Sequence, residues 1–166
     1  MLLATIALCA PPVVATAAAQ DRPGPVAELS AAVVSFADDG VVRELLVGGA
    51  ARWSVSPRIS VGPELVYLSG THHSHVVVTG NVTWDLLAPT TGRAPRVTPF
   101  VVAGAGVFQT RESFPSGPFT SADGTFTVGG GVRAPVGDRV TVGVDARVGW
   151  ELHFRLGGVV GIRLTR

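Results

Sequence analysis

The chain has 166 residues, 46% hydrophobic and 15% charged, with a formal net charge of +1. That length suits one domain with one core, and so small a charge excludes recognition of nucleic acid through a strong positive field. All 13 basic side chains are arginine, whereas a soluble sheet ordinarily places lysine on its exposed faces and edges.

Residues Met1 to Ala19 are nearly all apolar. Leu2 to Ala10 forms a short hydrophobic run, Pro11 and Pro12 break any helix there, and Ala17-Ala18-Ala19 offers the small-x-small pattern of a signal-peptidase site. Residues 1–19 are therefore expected to be a cleavable signal peptide. The run is too short to cross about 30 Å of hydrocarbon as a helix. The only cysteine, Cys9, lies within it. The body is thus expected to carry no disulfide, thiolate metal site or cysteine nucleophile. Leu8 before Cys9 argues against a lipoprotein signal. Residues 20–26, with Pro23 and Pro25, read as an extended lead-in, and residues 27–166 as one barrel domain.

Turn chemistry then recurs at Ala37–Gly40, Ser56–Arg58, Ser69–Thr71, Ala88–Pro95, Ser113–Asp123, Pro135–Asp138 and Leu152-His153. Seven breaks delimit eight segments of about ten residues, the length of a tilted transmembrane strand. No helical stripe competes. The first segment is too uniformly apolar for its faces to be assigned. The second sets Val47, Gly49, Ala51, Trp53 and Val55 against Gly48, Ala50, Arg52 and Ser54. The third sets Ile59, Val61, Leu65 and Tyr67 against Ser60, Gly62 and Glu64. The fourth sets Val76, Val78, Gly80, Val82, Trp84 and Leu86 against Val77, Thr79, Asn81, Thr83 and Asp85. The fifth is again uniformly apolar. The sixth sets Phe126, Val128, Gly130 and Val132 against Thr125, Thr127, Gly129, Gly131 and Arg133. In the seventh, Val140, Val142, Val144, Ala146, Val148 and Trp150 oppose Thr141, Gly143, Asp145, Arg147 and Gly149. In the eighth, Leu156, Gly158, Val160, Ile162 and Leu164 oppose Arg155, Gly157, Val159, Gly161 and Arg163. This period of two is the signature of half-buried strands.

Alternation alone allows a lipocalin-like soluble barrel with the apolar face inward. Three features favour the inverse. The charged face is also the glycine-rich face, as a narrow lumen requires. The aromatic residues Trp53, Tyr67, Trp84, Trp150 and Phe154 lie beside breaks on the apolar face, where two lipid-interface girdles would sit. The apolar face has no charge at mid-strand, where lipid would penalise one by about 2–4 kcal/mol. The expected fold is an all-β, eight-stranded, antiparallel up-and-down transmembrane β-barrel. With the amino terminus in the periplasm, Ser113–Asp123 becomes the longest external connection and Ala88–Pro95 a long periplasmic one.

The segments Pro99-Phe100-Val101-Val102-Ala103-Gly104-Ala105-Gly106-Val107 and Gly129-Gly130-Gly131-Val132-Arg133-Ala134-Pro135, with Gly157 to Leu164 as the closing strand, resemble the outer-membrane β-barrel domain family over roughly residues 26–166. The resemblance implies eight strands, a bacterial outer-membrane location reached by export through the periplasm, and insertion by the barrel-assembly machinery. That machinery usually reads an aromatic final residue, and this sequence ends Leu164-Thr165-Arg166.

The charged inner face groups Arg52, Glu64, Asp85, Arg133, Asp145, Arg147, Arg155 and Arg163, which are expected to form a lumen ion-pair network that fixes register. A gated, porin-like polar path is the sharper alternative, although eight strands leave an interior about filled by its own side chains. His72, His73 and His75 cluster at an external break; imidazoles can bind a transition metal, but no carboxylate is near in sequence and a polar loop is the simpler reading. His72-x-Ser74 also invites comparison with membrane-embedded lipid A deacylases, which resemble this chain in size and architecture. Such catalysis needs nucleophile, base and acid in contact, no glutamate follows Ser74 suitably, and Asp85 is expected to face the lumen. Gly104-x-Gly106 lacks the helix and lysine of a phosphate loop. The expectation is a monomeric, non-enzymatic barrel with a structural, envelope-integrity or surface-contact role. It has no cofactor, metal or catalytic residue, and its partners are outer-membrane lipid and lipopolysaccharide. A lipid-modifying enzyme and a soluble periplasmic binding barrel stand as alternatives.

Overall fold

The computed structural model describes residues 24–36, 42–70, 73–87, 96–114, 117–150 and 153–164. The expected signal peptide, Cys9 and His72 lie outside the described residues. Eight strands follow in chain order: β1 (Val26–Phe36), β2 (Val42–Ser54), β3 (Ile59–Ser69), β4 (His73–Asp85), β5 (Thr98–Phe114), β6 (Gly117–Val136), β7 (Val140–Gly149) and β8 (His153–Arg163). Val26, counted in the lead-in by sequence, is already the first strand residue. Each strand pairs antiparallel with the next, and β1 pairs with β8 from Val26↔Arg163 to Phe36↔His153, so the sheet closes on itself. Closure removes both edges of the sheet.

The faces follow the alternation. Leu29, Val47, Leu65, Val78, Val144 and Leu156 point outward and are exposed, Leu29 by 71%. Glu64, Asp145 and Arg155 point inward and are buried. This is the inverse of a lipocalin-like barrel, whose apolar face would line the interior. The two segments without assignable faces are resolved by the pairing. In β1 the inward set is Glu28, Ser30, Ala32, Val34 and Phe36, and in β5 it is Phe100, Val102, Gly104, Gly106 and Phe108.

The connection expected over Ser113–Asp123 is instead mostly strand. β5 and β6 pair continuously from Thr98↔Arg133 to Phe114↔Gly117, leaving residues 115–116 between them. Gly117 takes φ 129°, a conformation open to glycine and strained for other residues. The serine, glycine and proline content that reads as a loop therefore belongs to a long hairpin and its tip. The β6–β7 ladder begins only at Thr127↔Gly149, so residues 117–126 of β6 have no strand partner on that side among the described residues. The hairpin projects beyond the rest of the barrel at the end opposite the termini. Similarly, Pro135 and Val136 lie within β6, and the turn expected there narrows to residues 137–139 around Gly137, with φ 73°.

A closed barrel in detergent resists unfolding as a unit. Unboiled and boiled samples on a denaturing gel are expected to migrate differently; identical mobility would mean that the β1–β8 seam is open.

Candidate functional site

The interior is layered, and the layering can be followed along each strand from the end bearing the termini. On β2 the inward residues run Ser54, Arg52, Ala50, Gly48, Leu46, Glu44. On β3 they run Ser60, Gly62, Glu64, Val66, Leu68, and on β4 Asp85, Thr83, Asn81, Thr79, Val77, His75, His73. Polar groups come first, then apolar ones, then an acid and imidazoles.

At the terminal end lies a vestibule of about 190 Å³, lined by Arg52, Arg58, Asp85, Arg133 and Arg163 among others. Arg52 pairs with Glu28, and Arg133 pairs with Asp85 while its guanidinium lies 5.3 Å from the Phe100 ring centroid. Arg163, grouped with the network by sequence, is exposed at this mouth and joins none of the ion pairs found among the described residues. As the last residue of β8 it is at the rim, where water replaces a partner.

The central layer is a four-membered ionic knot. Glu64 accepts from Arg147 at 2.6 Å and from Arg155 at 2.8 Å, one oxygen each, and from Asn81 at 2.8 Å. Asp145 accepts from Arg147 at 2.7 Å and lies 3.7 Å from Arg155. Two arginines and two acids thus neutralise each other away from water, which is the condition for burying them at all. Opposed glycines make the room. A Cβ on Gly104 would fall 1.8 Å from Asn81 Oδ1, and one on Gly129 2.9 Å from Arg147 Cγ. Voids on either side of this layer measure about 30 Å³ each, so the lumen is filled by its own side chains.

Beyond the knot Ala32, Val34, Leu46, Val66, Leu68, Val77 and Phe108, all on β1 to β5, form an apolar layer, and Thr127, His153 and Arg155 of β6 and β8 line the void beside it. The sequence reading did not anticipate it. Its signal was the very uniformity of the first and fifth segments: strands whose inward residues are also apolar lose their alternation.

At the far mouth, Glu44, His73 and His75 come together, with Glu44 buried. Phe36 lies 5.9 Å from the His75 ring and 5.7 Å from that of His153. Glu28 and Glu44 were both missed by sequence. Extending the period of two backward from Arg52 through Gly48 and Leu46 places Glu44 on the inner face, and Glu28 is the only acid of β1. The carboxylate absent from the neighbourhood of the histidines in sequence is supplied from β2 by the sheet.

The serine-hydrolase comparison finds no support in this geometry. Ser74 is on the outward face of β4 near the far mouth, whereas Asp85 faces inward at the other end, roughly 36 Å away at strand rise. The aromatic residues Trp53, Tyr67, Trp84, Trp150 and Phe154 are on the outer face and about half exposed. Trp53 and Trp84 lie toward the terminal end, Tyr67, Trp150 and Phe154 toward the far end, and Phe126 joins the second group, its ring 5.9 Å from that of Trp150.

The closed eight-stranded topology occurs in known structures. Neisserial surface protein A (NspA) superposes with a TM-score of 0.75 at 10% identity, covering 87% of this chain and 100% of that one. The fold is that of the small eight-stranded outer-membrane β-barrels. The N-terminal β-barrel domain of Pseudomonas aeruginosa OprF matches with a TM-score of 0.67 at 12% identity, covering 86% of this chain and 99% of that domain. Ail, the attachment invasion locus protein of Yersinia pestis, solved with the heparin analogue sucrose octasulfate, matches with a TM-score of 0.58 at 12% identity over 86% and 98% of the two chains. No protein-family model and no curated protein sequence matches the chain.

The ionic knot yields a directional expectation. Glu64→Ala leaves Arg147 and Arg155 facing each other with one acid between them, and removing one member of a buried ion pair costs about 3–5 kcal/mol. The temperature at which gel mobility shifts to that of the unfolded chain should fall clearly for Glu64→Ala and stay close to wild type for Arg163→Ala. Equal behaviour of the two variants would mean that the knot does not stabilise the barrel.

Proposed function

We propose that this protein resides in a bacterial outer membrane as a closed, non-enzymatic barrel with a structural and surface-contact role. The observation that carries the reading is the combination of an apolar exterior with an interior blocked along its length. A surface of exposed valine, leucine and tryptophan calls for hydrocarbon around it. A lumen crossed by an ionic knot and an apolar layer offers no aqueous path, so a porin-like role is disfavoured. Acyl chains and lipopolysaccharide surround the barrel in this reading, and the barrel-assembly machinery inserts it.

The surface-contact part rests on the β5–β6 hairpin. With the termini on the periplasmic side, the projecting stretch of residues 117–126 stands outside the cell, with Phe119 and Phe126 exposed. An exposed strand flank offers unpaired backbone groups to another chain. The sucrose octasulfate of the Ail structure belongs to that protein. Here the outer hairpin carries one base, Arg111, and two acids, Glu112 and Asp123, so contact through shape and backbone fits better than capture of a polyanion.

Cell fractionation tests the location. The protein should require detergent for extraction with the outer membrane, and release by osmotic shock would overturn the reading. Protease added to intact cells should cut the hairpin tip. Purified protein in planar bilayers should give no steady conductance, and lipopolysaccharide should lose no acyl chains to it. Acyl release abolished by Ser74→Ala would replace this reading with an enzymatic one. Val144→Arg puts a charge on the outer face at mid-strand, at a cost of about 2–4 kcal/mol in lipid. That variant should fail to assemble, whereas the inward Thr141→Ser should assemble normally; equal yields would refute a lipid-facing exterior.

A further inference from the structure

Among the described residues, the luminal acids divide into two kinds. Glu28, Glu64, Asp85 and Asp145 each pair with arginine. Glu44 does not: its ionic partners are His73 and His75. Its side chain is 1% exposed, and its Oε2, like Asp145 Oδ1 in the knot, is buried with no hydrogen-bond partner. A buried carboxylate without a fixed cation is costly.

The sheet assembles this group deliberately around a glycine. Leu45 pairs with Ser69 and Ser69 with Ser74. One residue further on, Gly70 separates Glu44 from His73, its N–H donating to the His73 carbonyl at 3.1 Å. Because Gly70 has no side chain, Glu44 and His73 reach across it and touch. A Cβ there would lie 2.6 Å from His73 Nε2 and 2.9 Å from Glu44 Oε1. His75 is oriented separately. Its Nδ1 is 3.1 Å from Thr110 Oγ1 on β5, which directs Nε2 toward Glu44, 3.7 Å from Oε1. One donor atom from each of Glu44, His73 and His75 lies within 4.8 Å of the others. The His73 side chain is 30% exposed, so the cluster opens to the mouth.

We propose that Glu44, His73 and His75 form a binding site for a first-row divalent cation of borderline softness, with zinc as its representative. Two imidazole nitrogens and one carboxylate oxygen suit zinc, copper and nickel and do not suit calcium or magnesium, which take oxygen ligands. The dication supplies the charge that arginine supplies to the other acids. The His75–Thr110 contact is the outer hydrogen bond that metal-binding imidazoles characteristically make. His73 would exchange its hydrogen bond with Glu44 Oε1 for a bond to the metal. The apolar layer beneath confines the cation to the mouth, as a bound ion and not a conducted one.

The test is calorimetric titration of zinc chloride into the untagged, full-length barrel extracted in detergent. One zinc per chain is expected. Glu44→Gln, His75→Ala and Gly70→Ala should each weaken binding by about tenfold or more, on the scale seen when the surroundings of a metal site are disturbed. Absence of binding, or binding unchanged in Glu44→Gln and His75→Ala, would overturn the proposal. Heat-dependent gel mobility confirms that each variant is folded. A measurement on the unmodified protein keeps the proposal testable if a variant does not assemble: copper(II) loaded at one equivalent should show coupling to at least two imidazole nitrogens in its electron paramagnetic resonance spectrum. Coupling to fewer would refute the site.

Discussion

A strand surrounded by hydrocarbon must find a partner for every N–H and C=O it exposes, because no water is present to serve as one. The β1–β8 ladder meets that demand. It runs the whole length of β1, from Val26↔Arg163 to Phe36↔His153, and turns an eight-stranded sheet with two raw edges into a barrel with none. Everything else about the chain follows from closing so few strands. The interior becomes narrow, and half of all strand residues must fit into it. That is why glycine is concentrated on the inner face beside arginine, and why Gly104 sits against Asn81 with no space for a methyl group.

Narrowness also explains the charge pattern. A wide channel can hydrate its acids and bases fully, whereas a void of about 30 Å³ has room for only about one or two waters. Each buried charge must then be matched within hydrogen-bonding distance. The Glu64–Arg147–Arg155–Asp145 knot achieves this by joining β3 to the consecutive strands β7 and β8, far from it in sequence. Such a knot can form only when β3 faces β7 and β8 across a closed interior, so it selects the correct register as well as tolerating its own burial.

The architecture was legible in the sequence because most strands have unlike faces. β7 is the clearest case: Val142, Val144 and Val148 point out while Asp145 and Arg147 point in, and a single slip of register would expose the charges to lipid. Legibility failed where local chemistry and tertiary context part company. The stretch around Pro115 and Pro118 looks like a loop, yet its neighbours pair across β5 and β6 because a hairpin outside the barrel need satisfy only one flank. The uniform apolar run of β1 hid both Glu28 and the inward Ala32 and Val34. The histidine cluster was visible, but its carboxylate was not. Glu44 is distant from His73 in sequence and adjacent in space, and only the register of β2, β3 and β4 reveals that Gly70 lies between them.

The order of layers has a consequence for where activity can reside. The ionic knot holds its charges fixed in pairs, and the apolar layer of Val34, Leu46, Val66, Leu68, Val77 and Phe108 separates it from the far mouth. A charge moving from one end to the other would have to leave its partners and pass a void lined mainly by apolar side chains of β1 to β5, with Thr79, Thr127 and His153 beside them. The two mouths differ in character: arginine-rich at the terminal end, acid and imidazole at the other. Whatever this barrel recognises, it meets at a rim or along the projecting hairpin. The lumen's contribution is rigidity, which holds Glu44 on β2 at a fixed reach from the histidines of β4.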